Sequence, residues 1–170
     1  MNIAIRPEMD KDIPAIYKVN ASAFDRENEA RLVDTLRESK AITLSLVAEL
    51  DGQIVGHILF SPVTIMNENS EWRAVGLGPV AVLPEFQNQG VGAALIRFGL
   101  DELKRFEHDV VIVLGHAEYY PRFGFKPSRP FGIRWEVDVP EDVFMILELR
   151  QNALNGRRGI VRYNPAFTSV

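Results

Sequence analysis

Two glycines one residue apart, Gly90 and Gly92, stand between the polar run Gln87-Asn88-Gln89 and the apolar pattern that opens with Val91, Ala93 and Ala94. Glycine lets backbone approach a ligand closely, and the first N–H groups of a helix have no acceptor inside it. The helix dipole adds partial positive charge at the same end. Together they suit a phosphate group held by amides. The same glycines equally suit a plain helix start beneath a loop. A Walker loop requires Gly-Lys-Ser/Thr after its glycines, and none follows here. A dinucleotide fingerprint requires Gly or Ala three positions after Gly92, where Leu95 stands.

Other chemistry-bearing residues are sparse. There is no cysteine, which excludes disulfides and a cysteine nucleophile, and the three histidines (His57, His108, His116) are too scattered for a zinc site. His57 is expected to be half-buried on a strand, and His108 to be solvated in a turn. Glu29 falls on the inner stripe of a helix, either as a pocket carboxylate or as a first-turn acid favoured by the dipole. Arg157, Arg158 and Arg162 suit either a phosphate or a charged surface. The formal net charge of −4 argues against a general nucleic-acid footprint.

The elements that must position these residues follow from pattern. With 170 residues, 46% of them hydrophobic and 25% charged, the chain is expected to fold as one domain over 1–170, with a core about 2–150 and a C-terminal extension 151–170. A strand is predicted over residues 2–6. A helix follows with Asp12 as N-cap and Pro14 in its first turn. A second helix carries Glu29, Leu32, Val33 and Leu36 on one face. Alternation over 43–50 and 54–60, joined by Asp51-Gly52, predicts a tight hairpin, the second strand continuing to Met66. Residues 72–82 form a nearly all-apolar mid-sheet strand, with a bulge invited at Gly78-Pro79. A helix over 90–106 buries Val91, Ala94, Leu95, Phe98 and Leu103. The apolar run 110–114 reads as a buried strand, parallel to its predecessor across the helix. Residues 116–122 suit a short helix. Further strands are predicted at 125–127, 143–149 and 160–163, with 128–142 as a long surface loop. The least polar stretch, 74–84, is too short and too rich in Gly and Pro to span a membrane. No signal-peptide pattern opens the chain, so a cytoplasmic location is expected by default.

In this setting Gln87-x-x-Gly90-x-Gly92 matches the Gln/Arg-x-x-Gly-x-Gly/Ala signature of GNAT-type N-acetyltransferases, between a mid-sheet strand and the central helix. Tyr119-Tyr120-Pro121-Arg122-Phe123-Gly124-Phe125 resembles the family's Tyr-x-x-x-Gly-Phe segment, and Ile5-Arg6-Pro7 with Asp12-Ile13-Pro14-Ala15-Ile16 resembles its opening. The resemblance spans roughly residues 2–150. The run 115–125 and the tail Asn164-Pro165-Ala166-Phe167 are most similar to a bacterial subgroup of predicted acetyltransferases.

The resemblance implies an α/β (α+β) fold: a mixed, mostly antiparallel central sheet, helices on both faces, and a splayed parallel strand pair. It implies acetyl-CoA as cosubstrate and no metal. The pyrophosphate would lie on the loop of Gln87, Asn88, Gln89, Gly90, Val91, Gly92 and Ala93, and the pantetheine arm along Val80, Ala81 and Val82. A neutral amine would attack the thioester directly, with a backbone N–H of Val80 or a neighbour on the developing oxyanion. Tyr120 holds the family's acid position, with Tyr119 as the alternative. Glu29 is the candidate amine base, with Glu118 and His116 as alternatives. Many family members carry an Asn shortly before the tyrosine; Gly115-His116 stand in that region here. The acceptor is expected to be a small-molecule or peptide amine, with neither nucleic acid nor membrane as partner; a homodimer is left open. A non-catalytic acyl-CoA sensor of the same fold is the competing function, disfavoured because a sensor needs no acid.

Overall fold

A computed structural model describes all 170 residues, Met1–Val170. Their contacts gather into two compact units, one of Met1–Ser61, Gly78–Asp101 and Pro165–Val170, the other of Pro62–Leu77 and Glu102–Asn164. No helix is long and apolar enough to cross a membrane.

The first unit contains β1 (Ala4–Pro7), α1 (Ile13–Phe24), α2 (Asn28–Glu38) and β2 (Leu44–Leu50). It also holds parts of β3 (Gln53–Met66), β4 (Glu71–Val82) and α3 (Val91–Arg105). β1 pairs antiparallel with β2, and β2 with β3. Asp51 (φ 49°) and Gly52 (φ 80°) are both left-handed, the requirement of the two-residue turn that Asp-Gly predicts. Ile16, Leu32, Val33 and Leu36 of the two helices pack on Val47 and Leu59 of the sheet, and Ala166 and Phe167 close over this cluster. The Asn28 side chain donates to the Ser169 carbonyl at 2.9 Å.

Two expectations for this unit are corrected. Asp12 precedes α1 but makes no side-chain cap bond. Pro14, in the first turn, has no N–H to offer. The Asp12 carboxylate instead accepts from the Met9 N–H at 2.8 Å and from Arg6 at 2.7 and 3.1 Å. Arg6 also reaches Glu49 at 2.7 Å. The Arg6 hydrogen bonds hold the Asp12 carboxyl below its usual range despite burial. In α3, Phe98 is 36% exposed, and Val91, Leu95, Ile96, Leu100 and Leu103 form the buried stripe. Gly99 explains the rotation: a Cβ there would lie 2.5 Å from Phe60 Cε2, so β3 packs directly on the helix backbone at that point.

In the second unit the first half of β4 pairs in parallel with β5 (Val110–Leu114), matching Val75, Gly76 and Leu77 to Val111, Ile112 and Val113. That ladder ends at Leu77, although β4 runs on to Val82. Gly78 (φ 140°) and the cis Gly78–Pro79 bond lie just beyond. β5 pairs antiparallel with β8 (Phe144–Glu148), and β8 with β6 (Lys126–Pro127). β9 (Gly159–Arg162) runs antiparallel to β3 and parallel to β7 (Ile133–Trp135), a second parallel contact that pattern alone did not announce. The architecture is thus mixed α/β with mostly antiparallel strand pairs and the expected parallel β4–β5 pair. The presumed loop 128–142 is corrected: it contains β7, two short 3₁₀ turns, a buried Ser128 and Ile133 at 0% exposure. Ile133 belongs to a core with Ile65, Ile112, Phe144, Ile146 and Val161. The helix predicted over 116–122 is reduced to a 3₁₀ turn, Tyr120–Phe123.

Candidate active site

The glycine loop lies in the first unit. After β4 the chain makes one 3₁₀ turn, Pro84–Phe86, then residues 87–90 run exposed to the start of α3. Polar side chains pin this loop to its own approach: Gln87 Nε2 donates to the Val82 carbonyl at 2.9 Å and Gln89 Nε2 to the Glu85 carbonyl at 3.1 Å. Asn88 (φ 60°) and Gly90 (φ 88°) are left-handed. A Cβ at Gly90 would meet nothing within 4 Å, so glycine is required there for its backbone conformation rather than for space. The first bond of α3 runs from the Ala94 N–H to the Gly90 carbonyl at 3.0 Å. The amides of Val91, Gly92 and Ala93 therefore have no acceptor within the helix. Between Pro84 and Ala94 there is one acid, Glu85, and no base. An anion here would be held by amides and the dipole of a 15-residue helix, which fits a pyrophosphate.

Val80, Ala81 and Val82 form the end of β4 in the same unit. The Leu83 N–H donates to the Val55 carbonyl at 2.9 Å, so the backbone of Leu83 faces β3. Along an extended strand N–H and C=O groups alternate sides. Ala81 thus also faces β3, while Val80 and Val82 turn their polar groups away from it. Those are the groups an extended ligand or an oxyanion could use.

Glu29 lies in the first turn of α2 and is 6% exposed. Its carboxylate is clasped by Arg26, whose Nε reaches both oxygens at 3.1 and 3.0 Å while a second guanidinium nitrogen binds Oε1. His57, expected to be half-buried, is 0% exposed. Its Nδ1 accepts from Asn20 Nδ2 at 3.1 Å, leaving Nε2 to donate to Ser45 Oγ at 2.9 Å. With both ring nitrogens engaged, His57 is a structural group.

The tyrosine segment lies in the second unit. Tyr120 opens the 3₁₀ turn after β5, its ring edge-to-face with Tyr119 (5.2 Å) and with the buried Phe125 (5.8 Å). Burial, with a lesser push from Tyr119, raises the Tyr120 phenol to about 12. It is therefore fully protonated at neutral pH and can donate a proton but not accept one. Tyr119 carries the Arg122 guanidinium 4.5 Å from its ring centroid and packs edge-on against Phe123. His116 and Glu118 are exposed. Arg157, Arg158 and Arg162 pair with Asp109, Glu68 and Glu136, as a charged surface does. Pattern reading missed Gly115, whose missing side chain makes room for the Tyr120 ring.

Known proteins share this fold. Residues 4–128 match the family model described as acetyltransferase (GNAT) domain. The chain is 38% identical over 164 residues to an uncharacterized N-acetyltransferase, YhbS, of Escherichia coli K12, covering 96% of this chain and 97% of that one. The crystal structure of YhbS from Escherichia coli in complex with CoA aligns at TM-score 0.92 and 36% identity, over 99% of this chain and 93% of that one. A GNAT family acetyltransferase from Brucella melitensis in complex with acetyl-CoA aligns at TM-score 0.81 and 39% identity, over 98% of each chain.

Proposed function

The chain belongs to the GNAT acetyltransferase family, and from that premise we propose that it moves an acetyl group from acetyl-CoA to the primary amine of a small molecule or peptide by direct attack. The observation that carries this reading is the exposed glycine loop, whose left-handed Asn88 and Gly90 lead into free helix amides. Amides from Asn88 to Ala93 receive the pyrophosphate, with Gln87 and Gln89 bracing the loop. The pantetheine arm runs along Val80, Ala81 and Val82 on the outward polar groups of Val80 and Val82, and the Val80 N–H steadies the negative charge that develops on the carbonyl oxygen. The amine nitrogen–carbon bond forms, the carbon–sulfur bond breaks, and Tyr120 gives its phenolic proton to the departing thiolate sulfur; the second proton of the attacking nitrogen leaves as the amide forms and restores the phenol. Glu29 takes the proton from the incoming ammonium, which displaces Arg26 from the carboxylate.

Thermal unfolding with and without acetyl-CoA, with NAD as the control, is the first test. Acetyl-CoA at 100 times its Kd should add about 2.7 kcal/mol of stability. For this chain length that raises Tm by about 5–10 °C. A rise with NAD alone would refute the reading of the glycine loop. Tyr120→Phe should then lower kcat about ten-fold or more while acetyl-CoA affinity barely changes. Unchanged turnover would remove Tyr120 as the acid.

A further inference from the structure

Gly115 has an unusual reason to be glycine. Its φ is not among the left-handed ones, so backbone conformation does not demand it. Space does. A Cβ at this position would collide with Tyr120 Cε2 and lie 2.9 Å from Cδ2 and 3.3 Å from Cζ of the same ring. The Tyr120 ring rests on the bare Cα face of residue 115.

The backbone at that point is fixed. β5 ends at Leu114, paired with Phe144, and the next N–H, that of Gly115, donates to the Val143 carbonyl at 2.9 Å. The ring is held elsewhere by Tyr119 and Phe125, both edge-on, and by Phe123 with its centroid 6.4 Å away. Phe125 is itself buried. A methyl group added at 115 has a pinned backbone behind it and a boxed ring in front, so the ring is the part that must turn. Turning an aromatic ring about its Cβ swings the hydroxyl at its far end through the largest arc.

Building on the reading of Tyr120 as the acid, we propose that Gly115 is a positioning residue: the absent side chain at the end of β5 aims the Tyr120 hydroxyl. Three measurements on the full chain test this. First, Gly115→Ala lowers kcat about ten-fold or more while KM and Kd for acetyl-CoA stay within about two-fold, the split expected of a group that acts only in the transition state. Second, Gly115→Ala adds no further loss in a Tyr120→Phe background, because its route to the chemistry is already gone. Third, with ring-labelled tyrosine, the NMR signal that vanishes in Tyr120→Phe shifts in Gly115→Ala. Should Gly115→Ala cost stability, a Tyr120→Ala background removes that cost.

Full turnover by Gly115→Ala while Tyr120→Phe is impaired would overturn the inference and leave the acid assignment standing. So would multiplying losses in the double variant, or an unmoved Tyr120 signal. Full turnover by Tyr120→Phe would overturn the acid assignment and this inference with it.

Discussion

Mild acidification should destabilise this protein through one histidine. His57 is enclosed by hydrogen bonds: Asn20 donates to Nδ1 and Nε2 donates to Ser45, whose backbone carbonyl accepts from Glu8, a residue held in turn by Arg37 at 3.0 and 3.1 Å. A second proton would turn Nδ1 into a donor facing the Asn20 amide donor. Burial pushes the imidazole from its ordinary 6.5 down to about 4, with the nearby Glu8 and Arg37 charges pulling in opposite directions. The sign follows from linkage. The folded pKa lies below the unfolded one, so the unfolded state binds more protons between them and stability falls as pH falls from 6.5 toward 4. Taking those two values, His57 alone removes about 1.8 kcal/mol between pH 7 and pH 5. That lowers Tm by about 4–7 °C for a chain of this size. The assay is urea unfolding at both pH values, for the native chain and for His57→Gln. The variant is expected to be less stable at pH 7, yet to lose about 1.8 kcal/mol less than the native chain on acidification. Equal losses in the two proteins would refute the reasoning, and so would a native stability that does not change between pH 7 and pH 5.

Further outcomes are expected. Gly99→Ala forces a methyl to 2.5 and 2.6 Å from the Phe60 ring and should cost about 1–3 kcal/mol by denaturant unfolding; a variant as stable as the native chain would contradict that packing. Gly90→Ala has room but must hold φ 88°. The free loop relieves that strain by leaving the left-handed region, and restoring it for acetyl-CoA costs about 1–2 kcal/mol, which should weaken binding by about 5–30-fold in calorimetry. Because the Tyr120 phenol sits at about 12, log kcat should show no falling limb from this group between pH 7 and pH 10. A limb in that range that disappears in Tyr120→Phe would show the acid to be more acidic than burial allows. Glu29→Gln should lower kcat/KM at neutral pH and recover toward native values as pH rises and the amine deprotonates unaided. A pH-independent kcat/KM equal to the native value would reduce Glu29 to the partner of Arg26.

Local chemistry was the legible part of the fold. Asp51-Gly52 specified its turn because two consecutive left-handed residues have few other solutions, and the bounds of β5 follow from an uninterrupted apolar run. What pattern misread was set by partners distant in sequence. Ile133 looked like loop because its strand is three residues long, and its neighbour in the ladder, Gly159, lies far along the chain. Phe98 fitted the apolar spacing of its helix, but the Gly99–Phe60 contact turned the stripe toward Ile96 and Leu100. His57 looked half-buried because strand alternation says nothing about Asn20 on a helix or Ser45 on the next strand. In the site, the glycine loop was readable because its chemistry is backbone chemistry encoded by adjacent residues. The seat under Tyr120 was not, since the absence of a side chain carries meaning only beside the ring that fills the space.

The packing of Ala166 and Phe167 over the first two helices orders events in time. A ribosome releases α2 roughly 130 residues before Pro165 appears. At ordinary synthesis rates the interval is on the order of ten seconds. Throughout it the α1–α2 cluster is without two of its apolar neighbours. The first unit therefore cannot complete its interior as it emerges, and its final closure belongs to the period after residues 165–170 have left the exit tunnel.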